Sequence, residues 1–426
     1  MERILTPIPG PRSRAYAQRL RASESRGVTY LAEDFPVFWR SGAGATVADV
    51  DGNIYLDLTS AFGVAAVGHG NPAVAHAIAE QAQRLAHSMG DVHPSDVRTE
   101  LAERLAGIAP VERGKVFFCS SGAEAVEFAL KTAMLATGKP DILAFEGGYH
   151  GLSYGTLEIA GNPAFRAPWK NQLRDTTSRV AFPSAHRGDR ADDALERVGA
   201  ALRRRPSIGA VVIEPIQGRA GVIVPPEGFL RGLRSLCREH GAIFILDEIF
   251  TGFGRTGHMF AAQHEDLQPD IVCVGKALGG GFPISAAVGS GKIMDAWQPS
   301  QGEALHTSTY LGNPMGCAAA LAVLEELERL RLPERARRIG DTIDERLRAL
   351  AGLPHVCGAR GRGALWALEL RDGGLAKSVV TRALARGLIL LQAGLRGEAL
   401  QLAPPLIITD EQLARSLDIL TTIVRE

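Results

Sequence analysis

The amino-acid sequence predicts an α/β protein, with a mostly parallel sheet in a large domain and a smaller α+β domain beside it. From Gly68 to about Met315, short apolar runs alternate with helical stretches, which is the pattern of parallel βαβ units. The most apolar runs end in polar residues or in glycine. After a long helix that begins near Ala318, shorter strands and helices alternate to the C-terminus.

The domain division predicted from this pattern has three parts. Residues 1–60 form an N-terminal segment, residues 61–317 the large domain, and residues 318–426 the C-terminal small α+β domain. The N-terminal segment ends in ATVADVDGNIYLDL, where Asp51-Gly52 between alternating apolar runs predicts a hairpin. Because neither end of the chain would bury a sufficient core alone, we expect them to pack together.

Composition excludes several classes of protein. Hydrophobic residues make up 46% and charged residues 22% of the 426 residues, the balance of an ordinary globular protein. Lys plus Arg equals Asp plus Glu at 47 each, which argues against a nucleic-acid partner. The sequence contains no apolar run of about 18 residues and no secretory signal, so we expect no membrane span and a cytoplasmic location. The five cysteines are scattered without C-x-x-C spacing, which predicts neither disulfides nor a metal site.

Five apolar runs are predicted to form the centre of the sheet. Parallel strands that are buried on both faces read as continuous apolar runs, and ligands bind beyond their carboxyl ends. The runs are KVFFCSS (115–121), ILAFEGG (142–148), AVVIEP (210–215), AIFILDE (242–248) and DIVCVGK (270–276). Their ends supply Ser120, Ser121, Glu214, Asp247, Glu248 and Lys276. This concentration of polar groups at one edge exceeds what a core requires.

Lys276 and Asp247 are the candidate catalytic residues. Lys276 closes a buried run and precedes ALGGGFP. Burial lowers the pKa of a lysine amine, and the neutral amine can form a Schiff base. Asp247 ends the preceding strand and could keep a pyridinium nitrogen protonated. Taken singly, each has a structural alternative: a lysine that reaches the surface, and an aspartate that caps the next turn. Their equivalent positions on neighbouring strands favour the functional interpretation.

Two glycine-bearing turns could contact a ligand. Ser121 and Glu124 have capping-box spacing at the start of a helix, and a helix N-terminus suits a phosphate, although a well-capped helix explains the spacing equally well. In GGYHG, Tyr149 could stack on a flat ring. We interpret His150 as a loop histidine that bonds to the backbone. No G-x-x-x-x-G-K-[ST] motif is present.

Together these stretches resemble the class III (ω-type) pyridoxal-phosphate (PLP) aminotransferases of fold type I. The matching segments follow the family's order over most of the chain, and LDEIFTGFGRTG followed by GKALGGG is highly specific. The others are DVDGNIYLDL, VGHGNP, FFCSSGAEAVEFALKTA, GGYHG, VVIEPIQG and TSTYLGNP. The resemblance implies that Lys276 forms the Schiff base with PLP and that Asp247 pairs with the pyridine nitrogen. Further cofactor contacts implied by it are Ser121, Gly122 and Ala123 at the phosphate, Tyr149 on the ring, and Glu214 near the phenolic oxygen.

The resemblance also implies a homodimer with active sites at the subunit interface, where Thr309 reaches the phosphate of the neighbouring subunit's cofactor. On the substrate side it points to Val64, Arg219 and Gln401. This chain departs from the family there: Arg219 replaces a frequent glutamate, and Gln401 replaces an arginine that grips a substrate carboxylate. Leu152 replaces an arginine that 4-aminobutyrate enzymes use. These departures argue against a 4-aminobutyrate substrate.

The predicted function is therefore transfer of an amino group from a primary amine or amino acid to an oxo acid, by a ping-pong mechanism through pyridoxamine phosphate. A PLP-dependent racemase, epimerase or aminomutase on the same scaffold is the first alternative, because it would use the same residues. A non-catalytic PLP-binding or regulatory protein is the second. The absence of a DNA-binding segment and the presence of both Lys276 and Asp247 count against it.

Overall fold

The structure, a computed structural model, describes all residues 1–426. The strands are β1 (Trp39–Ala43), β2 (Thr46–Asp49), β3 (Ile54–Asp57), β4 (Gly114–Cys119), β5 (Asp141–Phe145), β6 (Thr177–Val180), β7 (Ile208–Ile213), β8 (Ile243–Asp247), β9 (Ile271–Val274), β10 (Ser285–Ser290), β11 (Val356–Arg362), β12 (Leu365–Leu370), β13 (Leu388–Ile389), β14 (Leu391–Ala393) and β15 (Ala399–Leu402). The helices are α1 (Pro11–Ser23), α2 (Ser60–Gly63), α3 (Pro72–Arg84), α4 (Asp96–Ile108), α5 (Gly122–Thr137), α6 (Tyr154–Ile159), α7 (Pro163–Arg166), α8 (Ala191–Arg204), α9 (Phe229–His240), α10 (Gly291–Met294), α11 (Pro314–Arg329), α12 (Leu332–Arg348), α13 (Gly373–Ala385) and α14 (Asp410–Arg425).

A seven-stranded sheet forms the centre of the molecule, in the order β4-β10-β9-β8-β7-β5-β6. The neighbours from β9 to β6 are all parallel, and β10 runs antiparallel between β4 and β9. All five predicted runs are strands of this sheet, so the predicted α/β class with a mostly parallel sheet is confirmed. The sequence did not predict β6 and β10, because TSRV is polar and SAAVGS consists mostly of small residues.

Two four-stranded sheets lie outside the large one. The sheet β1-β2-β3-β13 joins the ends of the chain, because β13 pairs in parallel with β3. The predicted hairpin is its β2–β3 pair, and Gly52 in the turn has a φ of 90°, a conformation that favours glycine. The other sheet, β11-β12-β15-β14, is antiparallel and entirely C-terminal. No helix combines the length and the apolar character that a membrane span requires.

Candidate active site

The carboxyl ends of the parallel strands bring the predicted residues to one edge of the sheet. Ile213 pairs with Leu246, so Glu214 and Asp247 follow neighbouring strands side by side. Asp247 pairs with Cys273 on β9, three residues before Lys276. The strand register therefore agrees with the prediction that these groups share one edge of the sheet.

Asp247 forms a buried ion pair with a histidine. Its Oδ2 lies 2.7 Å from Nδ1 of His150, and the two side chains are 4% and 1% exposed. Its Oδ1 accepts a hydrogen bond from the N–H of Ile249 at 3.0 Å. Burial alone would lower the pKa of His150, but the hydrogen bond and charge of Asp247, with the charge of Glu214, outweigh burial and raise it. Our interpretation of His150 as a backbone-bonded loop histidine was wrong, because its partner comes from another strand.

Lys276 lies in a strained, half-buried turn after β9. Its φ is 45°, in the left-handed region that non-glycine residues rarely adopt. The amine makes no hydrogen bond or ion pair within the chain, and its Nζ lies 4.8 Å from the centroid of the Phe250 ring. Burial lowers the pKa of this amine; Asp247 and Glu214 oppose the shift, and Arg219 adds to it. A lowered pKa leaves more neutral amine for Schiff-base formation.

Glu214 is buried, and its two carboxylate oxygens accept hydrogen bonds from different turns. Oε1 accepts from the N–H of Tyr149 at 2.9 Å, and Oε2 from the N–H of Gly218 at 3.0 Å. Burial raises its pKa to about 6, opposed by His150 and reinforced by Asp247. Glu214 thereby ties the loop after β5 to the loop after β7.

The N-terminus of α5 opens toward the same edge. The predicted capping box is present: Ser121 Oγ accepts from the N–H of Glu124, whose carboxylate accepts from the N–H of Ser121. Gly122 and Ala123 occupy the first turn, where helical N–H groups have no intrahelical partner. A Cβ on Gly122 would meet the end of the Ile249 side chain at 2.8 Å, so a larger residue there would require Ile249 to shift.

These groups fit pyridoxal phosphate. A 16-residue helix presents free N–H groups to an anion, an unpartnered amine stands at the end of β9, and a paired carboxylate follows the neighbouring strand. The three groups match the phosphate, the aldehyde and the ring nitrogen of that cofactor.

Val64, the first predicted substrate-side residue, follows a strained segment. Ser60, Ala61 and Phe62 have φ values of 48°, 48° and 63°. Val64 itself is half-buried. A Cβ on the intervening Gly63 would lie 2.4 Å from the Phe250 ring, which also contacts Lys276, so this segment lies beside the lysine.

The strained segment is held by Arg255, a fully buried residue of the TGFGRTG stretch. Its guanidinium donates to the carbonyls of Ala364 at 3.1 Å and Pro404 at 2.6 Å, and to Ser60 Oγ at 3.2 Å. Burial lowers its pKa to about 10, with Asp57 opposing. Arg255 therefore joins the segment before Val64 to two C-terminal turns.

Arg219 and Gln401, the other two substrate-side predictions, meet around one peptide. Gln401 is buried, and its Nε2 donates to the carbonyl of Gly218 at 3.0 Å. Arg219 is exposed, and its guanidinium carbon lies 5.1 Å from the centroid of the Tyr149 ring and 5.5 Å from that of Phe165. Tyr149, predicted to stack on the cofactor, is half-buried and packs edge-on against Phe165 at 5.8 Å.

Thr309 is the one predicted residue that the chain does not bring into this group. It is exposed on the segment before α11 and makes no hydrogen bond within its own chain. In contrast, the structure adds His150, Phe250, Phe165 and Arg255, which sequence reasoning did not assign to the site. The apolar partners carry no signal of chemistry in a sequence, and Arg255 was visible only as part of the TGFGRTG stretch.

Comparison with known proteins identifies the family. The family described as aminotransferase class-III matches residues 30–424. An acetylornithine aminotransferase of Methanopyrus kandleri is 39% identical over 384 residues, covering 90% of this chain and 93% of its own. A 4-aminobutyrate aminotransferase of Mycobacterium tuberculosis is 39% identical over 453 residues, covering 100% of this chain and 98% of its own.

Solved structures agree with these relatives. An amine transaminase from an uncultivated Pseudomonas species, in its PLP-bound form, superimposes with a TM-score of 0.88 at 30% identity, covering 95% of this chain and 98% of its own. A Bacillus anthracis aminotransferase gives 0.90 at 27% identity, covering 97% and 98%. Nothing in these relatives favours a racemase, an epimerase or an aminomutase. The chain belongs to the class III aminotransferases, and it is a PLP-dependent transaminase of fold type I.

Proposed function

We propose that this enzyme moves an amino group from a primary amine or amino acid to an oxo acid in two half-reactions at the site around Lys276. The observation that supports this most is the convergence of an unpartnered, half-buried amine with the buried Asp247–His150 pair at the ends of neighbouring strands. An amine of lowered pKa can act as a nucleophile and a base, and the paired carboxylate can stabilise a positive charge opposite it.

We propose the following cofactor contacts from the chain. Gly122 and Ala123 bind the phosphate through their N–H groups, beside the Ser121 cap. Asp247 holds a proton on the ring nitrogen, and the 2.7 Å bond to His150 orients its carboxylate. Tyr149 would offer an aromatic surface to the ring, and Glu214, whose carboxylate accepts two backbone hydrogen bonds, would serve the phenolic oxygen.

When bound, PLP supplies an aldehyde carbon that takes up the amino group and a ring that withdraws electrons from the substrate carbon. The proton transfer is assigned to Lys276: Nζ would remove a proton from the substrate carbon as a base and, as an acid, would deliver it to the former aldehyde carbon of the cofactor instead of back to the substrate carbon. Its pKa is lowered chiefly by burial, so the neutral, basic form is populated nearer to neutrality than in a free lysine. The Phe250 ring, whose centroid is 4.8 Å from Nζ, covers one side of this amine.

On the substrate side we propose that Val64 forms an apolar wall and that Gln401 positions the loop after β7. Val64 follows the strained residues 60–62 and Gly63, and the backbone of Gly63 packs against the Phe250 ring. The amide nitrogen of Gln401 donates to the carbonyl of Gly218. Gln401 would therefore act on the substrate indirectly, by holding the peptide that links Gly218 to Arg219.

We further propose a homodimer in which Thr309 serves the neighbouring subunit's cofactor. Thr309 lies among exposed apolar side chains, including Leu305 at 75% and Tyr310 at 64% exposure. Thr307 donates to Asp91 at 3.1 Å, which joins this segment to a second one where Met89 and Val92 are exposed. Several exposed apolar side chains on two linked segments are typical of a protein–protein interface.

The domain division into residues 1–60, 61–317 and 318–426 is likewise proposed. Its support is the parallel pairing of β13 with β3, which places residues of the N-terminal segment and of the C-terminal domain in one sheet.

Borohydride reduction of the purified yellow protein tests the assignment of Lys276. We expect loss of the visible absorbance and a modified peptide that contains Lys276; a label on any other lysine would refute the assignment. Incubation with an amine alone should convert the bound cofactor to its aminated form, which an oxo acid reverses. A racemase would not accumulate that form.

A further inference from the structure

Arg219 is an exposed cation at the active site for which the chain provides no counter-charge. No carboxylate lies within ion-pair distance of its guanidinium, and none of its N–H groups donates to a group of the chain. Other arginines on the same domain are paired: Arg205 with Asp141 and Arg234 with Asp270, each at 2.8 Å. The lack of a partner therefore distinguishes Arg219 from these two.

The backbone of Arg219 is fixed although its side-chain donors are free. Its carbonyl accepts from the N–H of Gly394 at 3.0 Å. The preceding residue, Gly218, is held on both sides: its N–H donates to Glu214, and its carbonyl accepts from Gln401. The guanidinium thus projects from a turn that Glu214, at the end of the preceding strand β7, and the C-terminal sheet both restrain.

Two aromatic rings support the guanidinium without neutralising it. The faces of Tyr149 and Phe165 lie 5.1 and 5.5 Å from its central carbon. Cation–π contacts of this kind orient a guanidinium plane and leave the N–H groups at its edge available. The nearby carboxylates are occupied: Glu214 accepts from two backbone N–H groups, and Asp247 pairs with His150.

We propose that Arg219 binds the carboxylate of the oxo-acid substrate and so selects carboxylate-bearing acceptors, an inference that rests on the proposed function. A planar guanidinium donates two parallel hydrogen bonds to one carboxylate, a geometry that the ammonium of lysine cannot reproduce. The acceptor carbonyl must come to Lys276, and the turn that carries Arg219 lies beside it: the centroid of the Phe250 ring is 4.8 Å from Nζ, and a Cβ on Gly218 would lie 2.4 Å from the same ring. The substrate anion supplies the counter-charge that the chain lacks.

Arg219→Met tests the proposal, because it removes the charge and keeps an unbranched side chain that can pack on the rings. Acceptors are pyruvate, 2-oxoglutarate and acetaldehyde, which is pyruvate without its carboxylate. We expect KM for the oxo acids to rise about ten- to a hundred-fold, the range for a charge-assisted hydrogen bond, with KM for acetaldehyde unchanged within about two-fold. Arg219→Lys should recover only part of the loss. The matched control is Arg203→Met at the end of α8, another exposed arginine without an ion pair, which should change nothing.

Binding of glutarate, the saturated analogue of 2-oxoglutarate, provides a readout independent of turnover. Calorimetry on the holoenzyme should show binding to the parent that Arg219→Met weakens about ten- to a hundred-fold. Equal effects on acetaldehyde and oxo acids, unchanged kinetics, or failure of the parent to bind glutarate would each overturn the proposal. If the parent aminates none of the three acceptors, the proposed function fails, and the glutarate comparison still decides whether Arg219 binds a carboxylate.

Discussion

Replacement of Asp247 by asparagine separates the charge of this residue from its shape. The parent carboxylate lies 2.7 Å from His150 Nδ1 and accepts the N–H of Ile249 at 3.0 Å, and its side chain is 4% exposed. Asparagine is nearly isosteric and can still accept from Ile249. Its NH₂ group then faces His150, which must turn its Nδ1 into an acceptor. The variant therefore keeps the contacts but loses the negative charge.

The size of the effect follows from these contacts. A hydrogen bond to a charged group contributes about 1.5–3 kcal/mol, and a neutral one about 0.5–1.5 kcal/mol, so we expect the free energy of unfolding to fall by about 1–2 kcal/mol. At the ring nitrogen the whole charge is lost, and a cost of about 1.5–3 kcal/mol corresponds to a 10- to 150-fold fall in kcat/KM. The pKa of His150 should also fall, because the hydrogen bond and charge of Asp247 contribute most to raising it.

The assay combines kcat/KM for one amine and oxo-acid pair, urea unfolding, and NMR titration of His150. Asp270→Asn is the matched control, because Asp270 lies at the opposite end of β9, pairs with Arg234 and accepts the N–H of Phe244. It should destabilise the fold by a similar amount and leave kcat/KM unchanged. If Asp247→Asn kept kcat/KM within three-fold of the parent, or if Asp270→Asn lowered it equally, the electrostatic role of Asp247 would be refuted.

Three further predictions concern stability and assembly. Because the pKa of Glu214 is raised from 4.5 to about 6, its contribution to stability is present below pH 4.5 and is lost as pH rises through 6. In cofactor-free protein, the difference in free energy of unfolding between the parent and Glu214→Gln should therefore shrink by about 1–2 kcal/mol over that range. A difference that does not change with pH would contradict this prediction. Arg255→Met removes three buried hydrogen bonds and should lower the free energy of unfolding by about 2–4 kcal/mol in urea titrations, whereas a change below 1 kcal/mol would show that they do not stabilise the fold. Thr309→Ala should weaken PLP retention on dialysis more than it changes the melting temperature, and a fully active monomer in sedimentation would rule out the shared site.

The sequence determined five strands of the central sheet and the edge at which the chemistry lies. Buried parallel strands must be apolar throughout, and the chain becomes polar only where a strand leaves the core. Lys276, Asp247 and Glu214 could therefore be assigned to one edge from their positions at the ends of three runs. The capping box of α5 was equally predictable, because Ser121 and Glu124 act within one helical turn.

Only the tertiary structure decided which side chains meet across that edge. His150 and Asp247 are 97 positions apart, and Gln401 and Gly218 are 183 apart. Hydrophobic periodicity reports which face of an element is buried, but it carries no information on which distant residue packs against it. His150 consequently resembled an ordinary loop residue, and the two aromatic rings under Arg219 could not be foreseen. These contacts depend on the spatial order of the strands in the sheet and on side-chain packing between loops. Both are properties of the whole fold, and no local segment of the sequence specifies them.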